Sequence, residues 1–210
     1  MRTDDLIAAL AADTKPQAPV TTRMALPLLG AVSLAVASFV LFWGPRSDLM
    51  AALGSVALLK TVAPLLLVAL AAASALALAH PGQTAKGRAV ALGAVIALAA
   101  LAFLAALGRE GFAGLISALS TSQLLACLLS IPTLAAPLLG VALWGLSSGA
   151  SLRPRLTGAM AGLAAGSLAA AIYSIHCDKD IALFVLPAYG TAIGSVTLAG
   201  ALLGARVLDW

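Results

Sequence analysis

The sequence predicts an all-α, polytopic membrane protein with six transmembrane helices and both termini on the cytoplasmic side. Three observations carry this. Hydrophobic residues make up 62% of the chain and charged residues only 10%, with a mean hydropathy of +1.07; soluble domains are typically about a quarter charged. Six charge-poor stretches each run for about 19 to 24 residues, the length that crosses a hydrocarbon core. Lys and Arg are also distributed unevenly between alternate loops.

In chain order the predicted spans are Met24 to Trp43, Val56 to Ala79, Ala89 to Leu107, Leu124 to Leu146, Leu156 to Ile175 and Ile181 to Leu203. In lipid, each must bond its backbone within the segment, which a helix does. The first is not a signal peptide: its apolar run is too long, 23 polar or mixed residues precede it, and FVLFWGPR is bulky where cleavage requires small side chains. The second carries Lys60 near one end, where its stem can snorkel to the interface. Pro64, Pro132 and Pro137 can bend their helices. Gly158, Gly162 and Gly166, with Gly190, Gly194, Gly200 and Gly204, give the last two helices small faces for close packing. That packing is expected within the chain, with a homodimer as the alternative.

Orientation follows from charge. Arg2, Lys15, Arg23, Lys86, Arg88, Arg153, Arg155 and Arg206 fall on one side, while Arg46, Arg109 and Lys179 fall on the other. The positive-inside rule makes the first side cytoplasmic. Trp43, Trp144 and Trp210 fall near segment ends, as interfacial anchors do. The net charge of +4 is thus a topology signal and calls for no direct contact with nucleic acid. The cytoplasmic basic residues also suit an anionic lipid bilayer.

The reactive groups gather in SIHCDKDIALF at 174–184, placed on the far side between the last two helices. Cys177 lies there, and Cys127 sits about one turn inside the fourth helix from the same side, so the two cysteines share a membrane level although 50 positions separate them. Three readings stand open. The cysteines are unrelated small apolar residues, they form a disulfide, or Cys127, Cys177 and His176 supply a soft metal site completed by Asp178 or Asp180. His176 beside Cys177 could also favour the thiolate. His80, before Pro81-Gly82, reads as a helix-end residue.

The six spans hold no Asp, Glu, Lys, Arg or His near mid-bilayer, which argues against an ion pump or a carrier of charged substrates. Nucleophile elbows, phosphate loops and catalytic carboxylate pairs are absent from the sequence, so no enzyme and no resident cofactor is expected. A membrane thiol-disulfide oxidoreductase would need a second cysteine pair, and a small-molecule transporter would show an inverted repeat.

The chain divides into residues 1–23, a cytoplasmic N-terminal segment, and residues 24–210, the six-helix domain. In the first, Thr3 can cap a short helix with Asp4 and Asp5 in its first turn. Leu6, Ile7 and Leu10 share one face, and Pro16 and Pro19 end it. Alone, so short a helix is marginal in water; a partner's groove would fold it.

These pieces together resemble the NrsF family of bacterial membrane anti-sigma factors. TDDLIAALAAD resembles its cytoplasmic N-terminal segment, HPG at 80–82 its RPG turn with His80 in place of arginine, and SIPTLAAPLLG at 130–140 its fourth-helix pattern. GLAAGSLAAAIYSIHC is similar to the family's G-x-x-A-G…Y-x-L-H-C, followed by Phe184 and Tyr189, and GARVLDW to its closing G-x-x-x-L-x-W. Asp178 stands where many relatives carry proline. The resemblance implies an inner-membrane protein that holds an extracytoplasmic-function (ECF) sigma factor through its cytoplasmic portion, with Asp4, Asp5, Leu6, Ile7 and Leu10 as contacts. It also implies that Cys127 and Cys177 sense heavy-metal or oxidative stress, with a metal ion present only transiently as a signal.

Overall fold

In the computed structural model, residues 2–12 and 19–209 are described; the side chains of Leu6, Ala9, Leu10 and Leu53 lie outside that description, as do Lys15, Pro16 and Trp210. Every regular element among the described residues is helical. They are α1 (Thr3–Ala12), α2 (Val20–Phe42), α3 (Leu49–Leu53), α4 (Leu59–Leu78, entered through a 3-10 turn at Val56–Leu58), α5 (Lys86–Leu119), α6 (Ser122–Leu146), α7 (Pro154–Ser174) and α8 (Ala182–Val207). Six of these helices are long and apolar enough to cross a membrane, the second counted from the 3-10 turn at Val56.

The helices form an antiparallel bundle, because each link between successive long helices is short or folded back on itself. α7 is the central element and packs on α8, α4 and α6; α2 lies against α6, and α5 against α8 and α4. Composition explains the choice of centre. The α7 sequence is almost all Gly, Ala and Ser on the faces it buries, so neighbouring backbones approach closely. A Cβ at Gly158 would stand 2.2 Å from the Gly200 carbonyl oxygen, and one at Gly162 would stand 2.5 Å from that of Val196. Gly200 and Gly204 answer from α8, whereas Gly190 and Gly194 look out of the bundle with open space around them. The glycine rows therefore serve packing within the chain at Gly158, Gly162, Gly166, Gly200 and Gly204. At the periphery, α5 buries only Leu92. Its outward Val90, Ile96, Leu98, Leu101 and Leu104 are exposed, an apolar surface suited to lipid.

Several boundaries differ from the sequence reading. α2 starts at Val20 rather than Met24, because extended Pro19 ends the preceding chain and its carbonyl accepts from the N–H groups of Thr22 (3.0 Å) and Arg23 (3.2 Å). The stretch GREGFAGLISALSTSQ (108–123), left between the third and fourth predicted spans, is helical to Leu119. It breaks once at Gly111, whose φ of +68° is open to glycine and costly for other residues. In α1, Asp5 rather than Thr3 caps the start: its carboxylate accepts from the Arg2 backbone N–H at 3.3 Å. Arg2, Asp4, Asp5 and Ile7 are exposed. His80 behaves as expected, its Nδ1 meeting the Leu76 carbonyl at 2.9 Å.

Candidate functional site

The most polar assembly among the described residues lies where the α2–α3 link, the start of α4 and the α7–α8 link meet. α2 ends with Gly44 in the left-handed region (φ +69°), its N–H closing on the Phe39 carbonyl at 2.9 Å. This turn sends the chain across the end of α7, where the Arg46 N–H donates to the Ile175 carbonyl at 3.0 Å. It also leaves the Gly44 carbonyl facing His176 Nδ1 at 3.0 Å.

Two cations fill the centre. Arg46 forks onto Asp48 through Nε (2.6 Å) and Nη2 (2.7 Å), and its Nη1 donates to both Asp180 oxygens at 3.1 Å and to the Cys177 carbonyl at 3.2 Å. Lys60 comes from the first turn of α4. Its Nζ donates to Asp180 Oδ1 at 2.5 Å, to the Lys179 carbonyl at 3.4 Å and to the Cys177 carbonyl. Both cationic side chains are less than a tenth exposed, at 8% and 6%. Cations so buried are tolerated only when paired and hydrogen-bonded. Asp180 does the pairing: burial pushes its carboxyl up, but the hydrogen bonds from Lys60 and Arg46 and their charges prevail and hold it below the ordinary carboxylate range. Asp48 is held low by Arg46, and Arg46 in turn is raised by Asp48 and Asp180 against the effect of burial.

Beneath this ion cluster sit the two thiols. Cys127 (0% exposed) and Cys177 (2% exposed) are both free, and they lie beside each other. The hydrogen bond to Cys127 lowers the Cys177 thiol; burial opposes it, and the Lys179 backbone, the Lys60 charge and the Tyr189 hydroxyl add to the lowering. Tyr173 lies beside Cys127. The Tyr189 hydroxyl, buried with no hydrogen-bond partner among the described residues, stands near the Cys177 sulfur. Trp43 closes the site, edge-on to Tyr173 with ring centroids 6.4 Å apart, and Tyr173 meets the His176 ring at 5.7 Å.

The structure thus brings Cys127 and Cys177 together across 50 positions of sequence. It does not bring His176 into a ligand set with them. His176 is spent on Gly44 and Tyr173, and among the described residues no three His, Cys, Asp or Glu side chains converge as a metal site would require. Asp180 faces the two cations, and Asp178 is exposed, 3.9 Å from Lys179. Lys60 turns inward instead of snorkelling, because Asp180 and two carbonyls await it there. Sequence reasoning passed over both Lys60 and Arg46 as site residues; a lone cation in an apolar span was the signal for Lys60. Trp43 packs into the site rather than serving only as an anchor. Trp144 is half exposed at the opposite end of the bundle, with the Arg23 guanidinium 5.9 Å over its ring. Of the tail residues, Asp4, Asp5 and Ile7 are exposed, while the side chains of Leu6 and Leu10 lie outside the description.

Comparison with known proteins bears on this arrangement. The family model described as negative regulator of sigma F, NrsF, matches residues 10–210. The chain is similar to the probable anti-sigma-F factor NrsF of Azospira oryzae, 36% identical over 85 residues that make up 40% of each chain. It is also similar to the anti-sigma-F factor NrsF of Caulobacter vibrioides, 32% identical over 228 aligned positions that span the whole of both. No solved structure matches the chain.

Proposed function

Because the chain belongs to the NrsF family, described as negative regulators of sigma F, we propose that it is an anti-sigma factor of the bacterial inner membrane, with both termini cytoplasmic. It holds an ECF-type sigma factor and releases it when a thiol pair on the far side is oxidised. The observation that carries the sensing half is the burial of Cys127 and Cys177 against each other, both reduced, at the end of the bundle away from Arg23 and Trp144. The holding half is assigned to the exposed tail helix, through Asp4, Asp5, Leu6, Ile7 and Leu10. Its acidic first turn and apolar side chains suit a groove with basic edges.

The redox step balances without a cofactor. A hydroperoxide accepts two electrons from the two thiols, one disulfide forms, and an alcohol and a water leave. Membrane placement is supported by the six apolar helices and their outward Leu, Ile and Val side chains. For release, the reduced and oxidised bundles must differ in how they present the tail. α6 is the element suited to this: it carries Cys127 near one end, Pro132 and Pro137 in its middle, and at the other end Gly145, against which the Met24 side chain of α2 packs.

The test is affinity capture of the tagged full-length protein from native membranes, with and without residues 1–20, before and after peroxide. The expected result is a sigma factor bound by the reduced full-length protein, lost on truncation and lost on oxidation. The Cys127→Ser/Cys177→Ser protein should keep the sigma factor through peroxide treatment. Release from that double variant would sink the sensing half, and absence of any sigma factor would sink the whole reading.

A further inference from the structure

Lys60 is a buried cation that anti-sigma binding does not explain. Its position is defined by three contacts, all to the segment 177–180: the Cys177 carbonyl, the Lys179 carbonyl and the Asp180 carboxylate. We propose that Lys60 is the positioning residue of the thiol pair, fixing Cys177 against Cys127 so that Cys177 is the sulfur that attacks the oxidant and Cys127 the one that resolves it. This rests on the thiol-sensing reading above and deepens it.

The geometry distinguishes the two sulfurs. Cys127 is on α6, with apolar Ile131 and Leu134 on the same buried face. Cys177 is in the link, where its carbonyl accepts from two cationic side chains, Lys60 and Arg46. The groups that face Cys177 are Cys127 from α6, Tyr173 from α7, Tyr189 from α8 and Lys60 from α4, with Asp180 and Arg46 acting through Lys60 and the link. Among them Lys60 is the cation whose charge reaches the thiol pair, and its hydrogen bonds all go to the Cys177 side of that pair. A thiolate, not a thiol, is the nucleophile, and a neighbouring cation favours it.

The chemistry then runs in two steps. The Cys177 sulfur attacks the hydroperoxide; an S–O bond forms, the O–O bond breaks, and the alkoxide leaves as the alcohol with the Cys177 proton. The Cys127 sulfur then attacks the Cys177 sulfenic acid; the S–S bond forms, the S–O bond breaks, and hydroxide leaves as water with the Cys127 proton. Two thiols lose two electrons and one peroxide gains them.

The experiment follows disulfide formation by hydrogen peroxide in the purified full-length protein in lipid nanodiscs, from pH 5 to 9, counting free thiols by mass tagging. Lys60→Gln removes the charge and keeps a polar side chain that is one atom shorter. It should slow the reaction at pH 7 by about 3- to 10-fold and move the midpoint of the pH profile upward. Lys60→Arg should restore most of the rate. Asp180→Asn leaves the Lys60 charge unopposed and should move the midpoint downward. A purely structural role predicts that Lys60→Gln and Asp180→Asn, which both loosen the same link, change the reaction in the same direction; that outcome, or a wild-type midpoint in Lys60→Gln, overturns the proposal. If Lys60→Gln does not fold, the Asp180→Asn midpoint decides alone, an unchanged or raised value overturning it. A wild-type protein that forms no disulfide would instead bring down the thiol-sensing reading itself.

Discussion

The two ends of α7 are held in opposite ways. At its start, Gly158 meets Gly200 and Gly204 backbone to backbone, and nearby the Ala150 N–H donates to the Ala79 carbonyl at 2.9 Å. At its finish, Ser174 bonds Thr61 at 2.7 Å, and the link beyond it is fastened by Lys60, Arg46 and Asp180 over two thiols. The glycine contact at the first end is made of backbone atoms, with Arg153, Arg155 and Asp209 lining the pocket beside it, so peroxide has no group to act on in that contact. The second is built almost wholly from groups whose charge or oxidation state can change. A fixed end and an addressable end on one central helix make a pivot and a handle.

The strongest way to break this contrast is at the glycine end. Gly158→Leu has no room, since the obstructing atoms are backbone. It should cost at least about 3 kcal/mol and splay α7 from α8, read as loss of a cooperative thermal transition in detergent. A folded Gly158→Leu protein with wild-type Tm would show that the approach is not close.

At the ionic end, Asp180→Ala leaves two buried cations without their shared carboxylate. The cost should be about 2 kcal/mol, less than for a fully buried pair because Asp180 is 35% exposed. The sign of its pH dependence follows from the lowered carboxyl. Its stabilisation is complete above the unfolded value, about pH 4, and is lost as pH falls through the lower folded value. The stability gap between wild type and Asp180→Asn should therefore be constant at neutral pH and close only in acid; a gap that closes between pH 6 and 8 would mean that another group is titrating.

Smaller effects sharpen the picture. Thr61→Val should cost about 0.5 kcal/mol, because Ser174 Oγ still donates to the Ala171 carbonyl at 2.7 Å. Asp178→Ala removes only an exposed partner 3.9 Å from Lys179 and should stay within about 0.5 kcal/mol of wild type by thermal unfolding.

Apolar run length and the distribution of Lys and Arg were enough to read six helices, and equal depth along neighbouring segments was enough to put Cys127 and Cys177 at one level. Both are one-dimensional properties. The inward turn of Lys60 was not legible, because snorkelling and burial both satisfy a lone cation near a helix end, and the choice depends on Asp180, a residue 120 positions away. His176 misled for the related reason that adjacency in sequence to Cys177 says nothing about where the ring points. The break at Gly111 was hidden because the stretch GREGF that holds it lies between predicted spans, where a glycine turn needs no separate notice.

The distance in sequence between Lys60 and the carbonyls that receive it also has a consequence for biogenesis. With 117 residues separating Lys60 from Cys177, a ribosome adding roughly 5 to 20 residues per second takes about 6 to 23 s to supply the missing acceptors. For that interval the nascent first hairpin carries an unmatched ammonium group near the start of α4, with only its own stem to keep the charge in water. Completion of the ion cluster is thus tied to arrival of the last hairpin, and a chain stalled before the α7–α8 link would leave Lys60 and Arg46 without Asp180, a plain mark of an unfinished protein for quality control.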